Sequence, residues 1–161
     1  MHSAPNEQLV AAAEAGTADA AVAALADGAH VDARDTRGHT ALMVACDRGE
    51  LAIASVLLEA GASPNRRTPD TEETALHRLA RKATATPMLS KLLQHRVRID
   101  RADRFGWTPL MMAARTGATA NVTALLAAGA DASLATPDGR TAADLAAEMG
   151  HPDVLAALPG A

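Results

Sequence analysis

Threonine recurs along this chain at a nearly fixed step. Thr40, Thr74, Thr108 and Thr141 each open a small apolar block: TALMVAC, TALHRLA, TPLMMAA and TAADLAA. The steps between them are 34, 34 and 33 residues. Gly16, Gly49, Gly117 and Gly150 keep a similar step, with Ala83 in the missing place. A third series is Gly28-Ala29, Gly61-Ala62 and Gly129-Ala130, with Arg96-Val97 standing in the third unit. Three independent markers on one period point to stacked supersecondary units, none able to bury its apolar face alone.

Composition says what the units are made of. Hydrophobic residues form 48% of the 161, yet there is one Phe, one Trp and no Tyr. Roughly a quarter of the chain is Ala. Such small side chains suit thin, closely packed helices, and aromatic and β-branched residues are too few for a β-sandwich or barrel. Within each unit a turn with Asp and Gly comes first, as in Asp35-Thr-Arg-Gly38 and Asp103-Arg-Phe-Gly106. The Thr hydroxyl then caps a short Ala-rich helix that stops near a Gly. A second helix carries paired Leu (Leu57-Leu58, Leu92-Leu93, Leu125-Leu126) and ends at Gly-Ala. Helices this short hold only by stacking.

These blocks closely resemble the ankyrin-repeat family. Its T-P-L-H-x-A block is carried by Thr74-Ala-Leu-His-Arg-Leu-Ala80 and Thr108-Pro-Leu-Met-Met-Ala113, and its L-L-x-x-G-A-x-x-N ending by Leu57-Leu-Glu-Ala-Gly-Ala-Ser-Pro-Asn65. The resemblance runs from about Asn6 to Leu158. It implies an all-α solenoid of five helix-turn-helix units with finger-like turns, approximately 6–34, 35–67, 68–102, 103–135 and 136–158, in one domain spanning 1–161. The first unit lacks the Thr block and the last stops within its second helix, as expected of end units that meet water on one side.

The third unit departs from the pattern. Thr68-Pro-Asp-Thr-Glu-Glu73 has one residue more than the usual finger and no Gly, and Lys82-Ala-Thr-Ala-Thr-Pro87 is also longer. Arg96 stands where a left-handed Gly is expected, so either the backbone changes there or the site carries strain. Residues 66–104 hold ten basic residues (Arg66, Arg67, Arg78, Arg81, Lys82, Lys91, Arg96, Arg98, Arg101, Arg104) against Asp70, Glu72, Glu73, Asp100 and Asp103. That segment is +5, so with a total of −4 the remainder is −9. Such a dipole is expected to steer a partner protein with an acidic patch to the middle of the array.

The resemblance implies binding through the fingertips and the inner face of the first helices. His39, Glu73, Trp107 and Arg140 fill the place between turn and Thr, expected to be exposed. The candidate partner-contacting residues are Arg37, His39, Arg48, Arg67, Arg78, Arg81, Lys82, Arg104, Phe105, Trp107, Met111, Arg115 and Arg140. Phe105 and Trp107, the only aromatics, share one finger, and Trp and Arg are the types that dominate interfaces. Removing Trp107 is expected to cost binding rather than stability.

Chemistry finds little support. There is no G-x-S-x-G elbow, P-loop or G-x-G-x-x-G. The six His (His2, His30, His39, His77, His95, His151) show no metal-ligand spacing, so neither cofactor nor metal is expected. His77 is read as structural, bonded to turn backbone. Cys46, the single cysteine, excludes an intramolecular disulfide and reads as an inert core thiol. Asp144 and Glu148 share a helix face, where a solvated end helix outweighs a paired-carboxylate site. Asn65 matches the Asn that some relatives of this type have hydroxylated. No stretch suits a membrane span, the N-terminus lacks a basic n-region, and an acidic chain poor in aromatics argues against nucleic acid. The expectation is a cytoplasmic, non-catalytic interaction module, an adaptor or inhibitor, monomeric when free, with an Ala and Arg bias suggesting a bacterial source. The alternative is an enzyme or small-ligand binder with a site in the concave groove near Arg78, Arg81, Lys82, Trp107 and Met111.

Overall fold

The computed structural model of the chain describes residues 4–84 and 86–160. Among them ten α-helices follow in pairs: α1 (Ala4–Ala15) with α2 (Ala18–Ala26), α3 (Ala41–Arg48) with α4 (Leu51–Glu59), α5 (Ala75–Ala80) with α6 (Thr86–Leu93), α7 (Pro109–Arg115) with α8 (Thr119–Ala127), and α9 (Ala142–Met149) with α10 (Pro152–Ala157). First helices pack in succession, α1 on α3, α3 on α5, α5 on α7 and α7 on α9, and second helices do the same from α2 to α10. The result is the two-layered helical solenoid that the repeat predicts. Isolated antiparallel bridges, Arg34 with Thr40 and Ala135 with Thr141, make the finger turns between pairs.

The threonines act as the spacing requires. Thr40 Oγ1 accepts the Met43 N–H at 3.3 Å, Thr108 the Met111 N–H at 3.3 Å and Thr141 the Asp144 N–H at 3.3 Å. Each satisfies an otherwise orphaned donor of a first turn, a contribution of about 1 kcal/mol. Behind the caps lies a core of Ala and Leu. Leu42, Leu57, Leu76, Leu89, Leu92, Leu110 and Leu125 are fully enclosed, and the facing alanines let the helices approach closely. Cys46 belongs to this core, where burial pushes its thiol up to about 12 and keeps it un-ionised.

A second device crosses the unit boundaries. Asp32 Oδ1 accepts the Ser63 N–H (2.9 Å), Asn65 Oδ1 the Arg98 N–H (2.8 Å) and Asp100 Oδ1 the Asp131 N–H (2.9 Å). Donor and acceptor occupy the same two places along these three boundaries. Inside the first unit, Asn6 at the start of α1 accepts the His30 N–H at 2.8 Å, at the donor place that the later rungs use. Asn65 also donates Nδ2–H to the Arg96 carbonyl at 2.7 Å, so its amide is engaged at both ends.

The third unit shows how an irregular segment is absorbed. In the second, fourth and fifth fingers the closing N–H···O bonds span four residues (Asp35 to His39, Asp103 to Trp107, Thr136 to Arg140), but in the third they span five, Thr68 to Glu73. Glu72 takes the left-handed place there (φ 58°) that Gly38, Gly106 and Gly139 hold in the others. At Arg96 the structure chooses the backbone change: Glu72 is the one non-Gly residue with positive φ among the described residues. The Ala62 and Ala130 N–H groups bond back to Leu57 and Leu125, whereas the Val97 N–H turns to His95. The α5 helix is only six residues long and ends on Arg81. Asn121, buried on α8, closes that end by donating Nδ2–H to the carbonyls of Leu79 (3.1 Å), Ala80 (3.2 Å) and Lys82 (2.6 Å).

Candidate functional site

The place just before each Thr lies on the finger side of the array and holds a different residue in each unit. It is less exposed than expected. Glu73 is buried, and His39, Trp107 and Arg140 are half-buried, because the closing bonds of each finger draw this residue against the helices.

The fourth finger forms a groove of about 350 Å³, lined by Glu73, Arg81, Asp103, Phe105, Trp107, Met112, Arg115 and Thr116. Asp103 builds the finger: its Oδ1 accepts the N–H of Phe105 (2.8 Å) and of Trp107 (2.9 Å). His77 fixes the Trp107 backbone from the preceding unit. The Thr74 N–H donates to His77 Nδ1 (3.2 Å), so Nε2 carries the proton and donates to the Trp107 carbonyl (3.1 Å). Burial holds this imidazole below its usual range, which keeps that tautomer neutral. The Trp107 indole carries the Arg115 guanidinium 5.2 Å from its ring centroid and that of Arg140 at 5.9 Å. Such contacts are cation–π pairs. Phe105, by contrast, is 61% exposed at the fingertip.

A second groove of about 300 Å³ involves Glu14, Arg37, His39, Val44, Asp47, Arg48 and Arg78. Arg78 is its anchor. It is 7% exposed, pairs with Asp47, and donates from Nη2 to His39 Nε2 at 3.0 Å. His39 is thereby a neutral acceptor, and burial followed by the Arg78 charge holds its pKa below the usual value. Glu73 Oε2 lies 4.0 Å from Arg78 Nε, and Glu73 Oε1 accepts from Arg81 at 2.7 Å. Lys82 donates to the Asp47 carbonyl.

The structure therefore divides the sequence-derived candidates. Phe105, Trp107, Arg81 and Arg115 meet in one groove, and Arg37, His39, Arg48 and Arg78 meet in the other. Arg67 pairs with Glu72, and Arg104 reaches toward Glu72 (4.0 Å) while bonding the Pro69 carbonyl (2.8 Å), so both brace the fingertips. Arg140 is held by Asp138 (2.8 Å) and Glu148 (3.0 Å). Met111 is a correction: it is 1% exposed, with Sδ 3.4 Å from the Thr108 N–H, and its neighbour Met112 lines the groove instead. The register held that signal, since Met111 occupies the interior place of His77. Trp107 is a second correction, because it packs on the core and lies beside two guanidiniums, so its removal touches stability as well. The basic segment is also less free than its sum. Arg66, Arg67, Arg78, Arg81, Lys91 and Arg104 hold carboxylate partners at up to 4.0 Å.

Among the described residues no group of three or more His, Cys, Asp and Glu could hold a metal ion, and no helix is long and apolar enough to cross a membrane. A family model described as ankyrin repeats (3 copies) matches residues 4–68 and 76–160. The chain is 41% identical over 91 residues to mouse "Protein fem-1 homolog A-like", covering 56% of this chain and 14% of that protein. It is 33% identical over 132 residues to the Neurospora crassa "Ankyrin repeat protein nuc-2", covering 81% of this chain and 12% of the other. Human "Ankyrin repeat and SOCS box protein 6" is 32% identical over 140 residues, covering 83% of this chain and 33% of the other. The chain thus spans a third or less of the length of these relatives.

Proposed function

The chain belongs to the ankyrin-repeat family, and from that premise we propose that it is a non-catalytic module that binds another protein along its fingers and inner face, as an adaptor or an inhibitor. The observation that carries the reading is the fourth-finger groove. It joins an exposed Phe105, a Trp107 braced by two guanidiniums, and Arg115 with no carboxylate within 4.0 Å among the described residues. Aromatic and Arg side chains together are the usual anchors of an interface. The rest of the finger series varies in charge and size while the capping and core places repeat, which fits a shared scaffold bearing a specific surface. A partner with an acidic patch suits this face, with Arg48, Arg81 and Arg115 as its contacts rather than the whole basic segment. The free chain is monomeric in this reading.

The test is capture of partners from a cell lysate by the full chain, beside a Phe105→Ser/Arg115→Glu variant. Both positions are exposed, so the variant is expected to fold as the wild type does, which a thermal melt checks. The expected result is a protein retained by the wild type and lost from the variant. Equal retention moves the site elsewhere on the array, and no enrichment in repeated trials rejects the interaction reading.

A further inference from the structure

Resting on that interaction reading, we infer that the fourth-finger groove takes an extended segment of its partner in which an apolar side chain is adjacent to a carboxylate. The apolar half of the requirement comes from Phe105, Trp107 and Met112, which present carbon surface to the groove. An apolar side chain laid there removes both surfaces from water, the main source of favourable binding energy.

The carboxylate follows from which charges face outward. The groove holds two acids and two cations, and their sum is zero. The acids, however, are turned inward. Asp103 is 8% exposed and its Oδ1 accepts two finger N–H groups, and Glu73 is 9% exposed and engaged by Arg81. The positive charge facing solvent is that of Arg115, whose guanidinium lies against the Trp107 ring and pairs with no carboxylate among the described residues. A guanidinium presents paired N–H donors in a planar fork. That fork matches the two oxygens of a carboxylate. Arg81 is half-committed to Glu73 and adds a second, weaker attraction.

A chain rather than a compact molecule is favoured by what lies beside the groove. The Glu73–Arg78–Asp47 series leads to the second groove with Arg48, so a polypeptide can run across both. One uncommitted guanidinium suits a single negative charge better than a doubly charged phosphate.

Selection of random dodecapeptides displayed on phage against the full chain tests this. The expected enrichment is Leu, Ile, Met or Phe next to Asp or Glu. A synthetic copy of the best peptide should change the emission of Trp107, the sole tryptophan in a chain without tyrosine. Replacing its Asp or Glu by Asn or Gln should weaken binding at least tenfold. Arg115→Glu should do the same, and a Lys in the peptide at that position should recover part of the loss. Calorimetry supplies the same affinities if emission is insensitive. Enriched peptides without an acid, an amide copy that binds equally well, no enriched peptide at all, or tighter binding of a phosphoserine copy would each overturn the inference. Partner capture from lysate is read separately, so a protein captured on the same surface leaves the interaction reading intact when the peptide chemistry fails.

Discussion

The third and fourth fingers are neighbours built for the same task, and they solve it differently. The fourth closes over four residues with Gly106 in the left-handed place at φ 82°. That Gly is required twice over, because a Cβ there would lie 2.5 Å from Pro137 in the next finger. The third finger has one residue more and puts Glu72 in the same conformation. Where Gly106 meets Pro137, Glu72 meets Arg104, and its carboxylate joins Arg67 and Arg104. An insertion is tolerated where the new residue supplies contacts of its own. A close-packed fingertip allows no such exchange.

Four substitutions or conditions bear on that comparison. The largest effect is expected at the joint between the two fingers, His77. Its ring is fully buried and bonds Thr74 on one side and Trp107 on the other. His77→Ala should cost about 3 kcal/mol, from a cavity and an unsatisfied turn. Urea unfolding measures it, and a loss below about 1 kcal/mol would break the idea that the fourth finger depends on the third unit. Gly106→Ala should cost about 2 kcal/mol, since both the backbone and Pro137 resist it. A neutral result in thermal melts would show that the fingertip yields.

Acidification comes next. His39 and His77 both sit below the ordinary histidine value in the folded chain, through burial and, for His39, the Arg78 charge. The unfolded chain therefore takes up protons first. Stability is fully present above a pH of about 6.5 and falls as the pH drops through it. Chemical denaturation at several pH values should show this slope, and His39→Gln with His77→Asn should flatten it. The smallest effect is at the third finger itself. Glu72→Gly relieves about 1 kcal/mol of left-handed strain and loses surface ion pairs of 0–1 kcal/mol. A net gain of about 0.5 kcal/mol is expected in urea titrations. A clear loss would mean that the Glu72 contacts hold the two fingers together.

Much of this was legible in the spacing. The threonines, the Gly-Ala endings and the paired leucines each mark a local requirement, a cap, a left-handed stop or a buried stripe, so the helix pairs follow directly. The extra residue of the third finger was legible for the same reason. The spacing carried the choice among residues one place apart only through the register, and not through residue type. Met111 and Met112 look equivalent in a string, and only the interior register of His77 tells them apart. Nor does a count of charges show pairing: Asp32, Asp47 and Glu59, outside the basic segment, engage Arg66, Arg78 and Lys91 within it. The recruitment of Asn121 to close α5 depends on two helices some forty residues apart in the chain, and no local signal announces it.

The rungs formed by Asp32, Asn65 and Asp100 all point one way, each side chain holding an amide of the unit that follows. The array therefore has a direction. Loss of one rung should release the amides C-terminal to it and leave the preceding turn closed, so exchange with heavy water at Ser63, Arg98 and Asp131 reads each joint separately. Pulled from its ends, such a chain has joints that fail individually, like links of unequal strength: Asp32 also holds the Arg66 guanidinium and Asn65 also holds the Arg96 carbonyl, whereas Asp100 holds one amide, so its joint is the one built to open first.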